Sequence, residues 1–132
     1  MTGHPINLHQ ALASFAQLWS PRIVTRVNDY DVRISKVRGT HIWHRHDATD
    51  ELFVVLAGAL DIALREPAGE RVVHLGLGDV FVVPRGMEHR PESRDGASLM
   101  VIEPSGTLST GDQLDHVPDH IDSTIGHALE LT

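Results

Sequence analysis

His44 and His46 stand one residue apart in the stretch HIWHRH, and Glu51 follows five residues after the second of them. Alternate side chains of an extended strand share a face, so Arg45 points the other way and the two imidazoles point together. Two neighbouring imidazoles add little to a hydrophobic core. They suit a metal ion, and a nearby carboxylate suits it further. Downstream, the stretch GDVFVVPRGMEH carries another histidine, His89, behind Pro84 and Gly86.

The surrounding residues indicate what must position these groups. Short alternating runs follow one another as RIVTRV, DVRISKV, HIWHRH, ELFVVLAG, LDIALRE, RVVHLGL, DVFVVP and SLMVIE, each with the pattern of a strand. Turn residues separate them, among them Asn28-Asp29, Gly39, Gly58, Pro67-Ala68-Gly69, Gly76 with Gly78, and Asp95-Gly96. Strands in this number, without crossover helices, predict an all-β antiparallel sandwich or barrel. The first segment differs: Leu8, Leu12, Phe15 and Trp19 recur at helical spacing, Asn7 can cap the helix with Gln10 in capping-box position, and Ser20-Pro21 ends it. Residues 105–132 hold five acidic residues, three histidines and no Lys or Arg, which predicts an irregular acidic tail with at most a short closing element around TIGHALEL.

Composition removes several function classes. The chain of 132 residues fits one domain, and its 18 acidic against 11 basic residues give a formal net charge of -7. No basic stripe exists for nucleic acid or for an anionic membrane. With no cysteine, disulfides, thiolate catalysis and Cys-type zinc sites are excluded. The N-terminal residues lack the pattern of a secretory signal, and no apolar run approaches a bilayer span, so a cytoplasmic protein is expected.

The two histidine-bearing stretches resemble the cupin superfamily, in particular its small single-domain members of the cupin 2 type with an RmlC-like jelly roll. Gly39, His44, His46, Glu51 and Gly58 follow the order of the first cupin motif, with its first gap one residue short. Gly78, Pro84, Gly86 and His89 follow the second, and Ser93 stands where that motif usually has Asn. The resemblance implies a double-stranded β-helix, or jelly-roll barrel, over residues 30–104, preceded by a helix and edge strand in residues 1–29. It also implies that His44, His46, Glu51 and His89 are metal ligands meeting inside that barrel. Three neutral imidazoles and one carboxylate form a mixed nitrogen and oxygen set, suited to one divalent Mn, Fe, Co, Ni, Cu or Zn ion per chain. Four ligands around a six-coordinate ion leave two positions for water, oxygen or a substrate, and the ion can act as a Lewis acid.

The function implied is a small metalloenzyme acting on an oxygen-rich small molecule, such as an oxo- or hydroxy-acid or a sugar derivative. The alternative is a non-catalytic module that binds a metal or a small ligand. Glu51 is the one ligand that can double as a base. A homodimer is expected by the same resemblance, with Arg22 to Asn28 as the exchanged or edge-covering strand. The remaining residues have plainer readings. His4, His9, His41, His74, His116, His120 and His127 are expected to be structural or exposed, and Arg33, Arg45 and Arg90 to lie on the outer face. Met87, Phe53 and Val55 are expected to line the barrel, and Trp43 to pack against the N-terminal helix. Asp47 and Asp50 are expected to face solvent or cap a bend, with one of them free to orient a histidine.

Overall fold

Alternation of apolar residues becomes strand through the middle of the chain. The computed structural model describes residues 3–130. Its elements are α1 (Leu8–Ala13), β1 (Arg22–Val27), β2 (Tyr30–Thr40), β3 (Glu51–Gly58), β4 (Leu60–Glu66), β5 (Gly69–Leu75), β6 (Val80–Val83), β7 (His89–Pro104) and β8 (His127–Ala128). β3 and β4 coincide residue for residue with ELFVVLAG and LDIALRE. The fold is an all-β jelly-roll barrel with one short helix among the described residues.

β7 organises the barrel. β2 runs antiparallel along one of its edges, from Tyr30 opposite Pro104 to Thr40 opposite Glu92. Its other edge is shared: β4 pairs with His89–Glu92, and β3 takes over from Ala97 to Ile102. The chain bends where the partner changes. Gly58 has φ +74°, and a Cβ there would run into the Gly96 carbonyl oxygen, so the close approach requires glycine. Ser93 holds the bend, its hydroxyl donating to Ala59 O at 2.7 Å and accepting from the Gly96 N–H at 3.1 Å. A short polar side chain thus works at the position where the motif usually carries Asn.

β1 pairs with β2 of its own chain, and β8 lies parallel to it at Arg22↔His127 and Ile23↔Ala128. The strand expected to be exchanged or to cover an edge lies on β2 within the chain, and the tail partly covers its outer edge. The tail is irregular apart from β8, but it is docked: Ile121 and Thr110 are buried. Asp112 receives the Arg45 N–H and donates its own N–H to Arg45 O, at 2.9 and 3.0 Å. Leu131, at the end of the expected closing element, lies outside the described residues. No helix among the described residues is long and apolar enough to cross a membrane.

Two sequence expectations need correction. The helix expected through Trp19 stops at Ala13. Asn7 caps its start by accepting the Gln10 N–H at 3.0 Å, but Trp19 leaves helical geometry at φ +54°. It enters the barrel instead, where its N–H donates to Lys36 O and its indole N–H to Arg38 O. Burial of the indole outweighs the local helical spacing. HIWHRH is likewise not a regular strand; only an isolated bridge joins His44 to His89.

The core explains how the site is held. Val55, Leu60, Ile62, Leu64, Leu75 and Val83 pack in one cluster with Trp19, Val37, Phe53, Leu99 and Val101, and the last five also line an open space. Each buried aliphatic side chain contributes roughly 1.5–3 kcal/mol.

Candidate metal centre

The segment carrying His44 and His46 is laid against residues 86–91 by a broken ladder of backbone bonds. His41 N–H donates to Pro91 O at 2.9 Å, His44 and His89 exchange bonds at 3.1 and 2.9 Å, and Gly86 N–H donates to His46 O at 2.8 Å. The Pro84–Gly86 turn makes the last of these possible, closing with a Met87 N–H to Pro84 O bond and φ +78° at Gly86. Trp43 turns outward between His44 and its neighbours, but it does not reach the N-terminal helix. The Arg65 and Arg90 guanidinium groups stack over its ring at 4.0 and 5.1 Å.

His44, His46, Glu51 and His89 are all buried, and each offers one ligand atom within 4.8 Å of the others. The structure thus brings together the four residues singled out in the sequence. Glu51 opens β3 and points inward with Phe53 and Val55. Its Oε1 lies 3.1 Å from His89 Nε2 and 3.3 Å from His46 Nε2. His44 Nδ1 lies 2.8 Å from Ile42 O and His89 Nδ1 3.0 Å from Met87 O. Since a carbonyl only accepts, these contacts place the ring proton on Nδ1 and leave Nε2 as a free lone pair. Backbone carbonyls therefore orient these imidazoles. Asp47 instead pairs with Arg45, and Asp50 receives the Arg85 N–H.

The donor set fits a transition-metal ion. Lone pairs on imidazole nitrogen and carboxylate oxygen converge, an arrangement that is repulsive unless a cation lies among them. His46 Nε2 is buried without a hydrogen-bond partner, because its approach to Glu51 is out of alignment. Two ligands about 2.1 Å from an ion and at right angles lie roughly 3 Å apart, close to the separations around Glu51 Oε1. Burial, followed by the repulsion of His89 and His41, lowers the His44 imidazole well below its usual range, which keeps its lone pair available. Burial alone would raise Glu51; only positive charge between it and the His46 and His89 rings outweighs that and holds the carboxyl well below the usual range.

A small cavity of about 60 Å³ opens beside this cluster. Phe53 and Val55 point into the barrel as expected and Met87 packs against its core, with Phe53 also lining this cavity. His41, Arg33 and Glu103 also line it, and their roles were not legible beforehand. His41 is wedged between Trp19 and His44, with ring centroids 5.1 and 4.8 Å away. Burial lowers its pKa to about 4, so it is a neutral imidazole at neutral pH. Arg33, expected on the outer face, is buried. It donates to Asp31 at 3.0 and 3.3 Å, to Glu103 at 3.3 Å and to Thr107 O at 2.9 Å. Burial, with the neighbouring Glu51 charge and a hydrogen bond to it, pushes Glu103 well above the usual carboxyl range despite Arg33. The signal that could have revealed these residues is the register of β2 on β7, which sets Asp31 and Arg33 opposite Glu103 and Val101 on the inward face.

Comparison with known proteins agrees with this architecture. The uncharacterized protein YdbB of Bacillus subtilis (strain 168) is 36% identical over 70 residues, 53% of this chain and 59% of that one. The chain thus spans somewhat more than half the length of this curated relative. A cupin-2 domain containing protein from Shewanella frigidimarina NCIMB 400 superposes with TM-score 0.71 at 39% identity, over 75% of this chain and 93% of that one. Hydroquinone 1,2-dioxygenase from Sphingomonas sp. TTNP3, with 4-hydroxybenzoate bound, shares the fold at TM-score 0.69 and 21% identity, over 78% of this chain and 32% of that one. The cupin domain family model matches residues 32–104. On a jelly-roll barrel with both motifs in place and that match across its strands, the chain belongs to the cupin family.

Proposed function

We propose that the chain is a metalloenzyme that holds one divalent transition-metal ion on His44, His46, Glu51 and His89 and acts on a small oxygen-containing molecule in the adjoining cavity. The observation that carries this reading is the convergence of four buried ligand atoms at the wall of an open space, with His46 Nε2 left unpartnered. The bound ion would supply Lewis acidity toward a substrate oxygen in its open positions. The chain's own residues supply the rest. Ile42 and Met87 carbonyls fix the imidazoles, Glu103 steadies Glu51, and Trp19, Phe53 and Val101 keep bulk water from the cavity wall. Cupin neighbours of known activity include the hydroquinone dioxygenase and an oxalate decarboxylase of Bacillus subtilis, so the fold hosts such chemistry.

Elemental mass spectrometry of untagged protein tests the site, with His46→Ala and Glu51→Ala as controls. Near one equivalent of a single transition metal, lost in both variants, is the expected result. Protein that stays metal-free after reconstitution refutes it. A non-catalytic binding module is the second reading, favoured by the position of Tyr30, the chain's one tyrosine, which is exposed and leaves the site without a phenolic acid. Saturable thermal shifts without turnover or oxygen uptake across an organic-acid and phenol panel would select the module. For assembly we propose a homodimer through the outer face on which Val80 and Val82 are exposed beside Val54 and Leu52. A monomer in analytical ultracentrifugation at micromolar concentration would exclude it.

A further inference from the structure

The tail crosses the barrel mouth at residues 111–116, and we propose that this segment is a lid over the four-residue cluster, with Asp112 on Arg45 as its clasp. It opens as a local unit, and an ion or small molecule reaches the cluster when it lifts. This rests on the metal reading above only in what lies beneath the lid. Size is the first observation. The space beside the cluster is about 60 Å³, room for a few water molecules and for no organic ring. A wider pocket of about 370 Å³ touches the cluster from outside at His46, and Gly111 and Asp112 are part of its wall. Lifting them widens that pocket toward His44.

Placement is the second. Arg45 stands between His44 and His46, and Asp112 grips its backbone. The carboxylate accepts the Arg45 N–H at 2.9 Å, and the Asp112 N–H donates to Arg45 O at 3.0 Å. Gly111 lies so close that a Cβ there would run into Arg45 O and press on the His44 ring. The segment therefore rests directly on the stretch that carries two of the four proposed ligands.

Construction is the third. The neck on either side is pinned. Ser109 exchanges bonds with Thr124 at 2.8 and 3.0 Å and donates to Asp122 O at 2.6 Å. On the far side Ile121 is buried in the core, Val117 packs against it, and His120 Nε2 lies 2.9 Å from Thr40 O. Between these anchors residues 112–116 are exposed without a break, and Leu114, at 75% exposure, does not hold the segment to the barrel. The segment begins and ends at left-handed residues, Gly111 with φ +57° and His116 with φ +59°. A compact loop with a closed neck can move without disturbing the sheet, and solvent-exposed hydrogen bonds with little apolar burial mark a unit that opens at low cost.

Two measurements on the full chain test this. In metal-free protein, the Asp112 amide is expected to exchange its hydrogen at least about a hundredfold faster than the Val101 amide of β7, through local opening. With Zn2+ as the probe ion, uptake and stripping by excess chelator are followed by stopped flow. Both directions pass through one opening, so Asp112→Ala should speed both by roughly fivefold, the worth of one hydrogen bond, with the zinc Kd changed less than twofold. Asp112→Asn keeps the acceptor oxygen and should restore most of the parent rates. A residue that only supported the site would alter release and affinity together. An Asp112 amide as protected as Val101, rates in Asp112→Ala within twofold of the parent, or faster release alone would each overturn the proposal. Fast local exchange in a chain that never takes up zinc would refute the metal site and leave the opening in place. Zinc bound stoichiometrically, with rates indifferent to Asp112, would do the reverse.

Discussion

Replacing Arg33 by Met is the perturbation that probes the interior most directly. Arg33, Asp31 and Glu103 have side chains no more than 2% exposed, so the ion pairs lie beyond effective solvent screening. Breaking a buried pair by removing one partner costs about 3–5 kcal/mol, because a charge stays buried and unpaired. The lower end applies here. Asp31 retains Arg26 at 2.8 Å and the Ser105 hydroxyl at 2.6 Å, and burial already pushes Glu103 toward its neutral form. With an unfolding entropy of about 0.28 kcal/mol/K for a chain of this length, a loss of about 3 kcal/mol lowers Tm by roughly 10 °C. Thermal melts followed by circular dichroism, on chelator-treated protein to exclude metal linkage, read this directly. Arg33→Lys should recover little, since an ammonium cannot span two carboxylates and the Thr107 carbonyl as the guanidinium fork does. A fall below about 3 °C for Arg33→Met, or full rescue by Lys, would show that the buried network contributes no more than an apolar filling would.

Three further outcomes are expected. His41, with its folded pKa lowered to about 4, takes up a proton later than its unfolded counterpart as pH falls. Stability should therefore drop by about 2 kcal/mol between roughly pH 7.5 and pH 5 through this group, and His41→Leu should flatten that limb of the Tm profile. Gly58→Ala must hold a Cβ at φ +74° against the Gly96 carbonyl. A loss of about 2–3 kcal/mol in urea unfolding is expected, and a neutral result would mean that the β3–β7 bend relaxes freely. Metal at about a thousandfold its Kd should raise stability by about 4 kcal/mol, a gain of roughly 15 °C that a chelator reverses and Glu51→Ala lacks.

Much of the barrel was legible because β3 and β4 carry apolar residues in strand-length runs closed by Gly58 and by Pro67 with Gly69. β7 was only half legible. Its first half contains Pro91, Asp95 and Gly96, residues that signal turns locally; pairing with β4 makes Pro91 strand, while Asp95 and Gly96 fall at the break in the β2 register. The four cluster residues could be picked out because their spacing is local to two short segments. Arg33 and Glu103 could not. In YDVRISKV the apolar set Val32 and Ile34 suggests the inward face, yet Asp31, Arg33 and Ser35 point inward, and only the long-range register to Glu103 makes that tolerable. His41 escaped notice for a related reason: its place beside the cluster depends on Trp19, which arrives from outside the barrel strands and against its own helical spacing.

The position of β7 along the chain has a kinetic consequence. Because its partners on one edge run from Tyr30 to Thr40, the barrel closes through contacts between strands far apart in sequence, and pairing so remote in sequence folds slowly. His44, His46 and Glu51 leave the ribosome well before His89, which opens β7 and completes the cluster. On the proposed reading, affinity for an ion would appear in the same step that zips β7 into place, and the nascent chain passes through synthesis with its imidazoles apart. An ion captured at that moment would act as a latch on the finished barrel rather than as a seed for it.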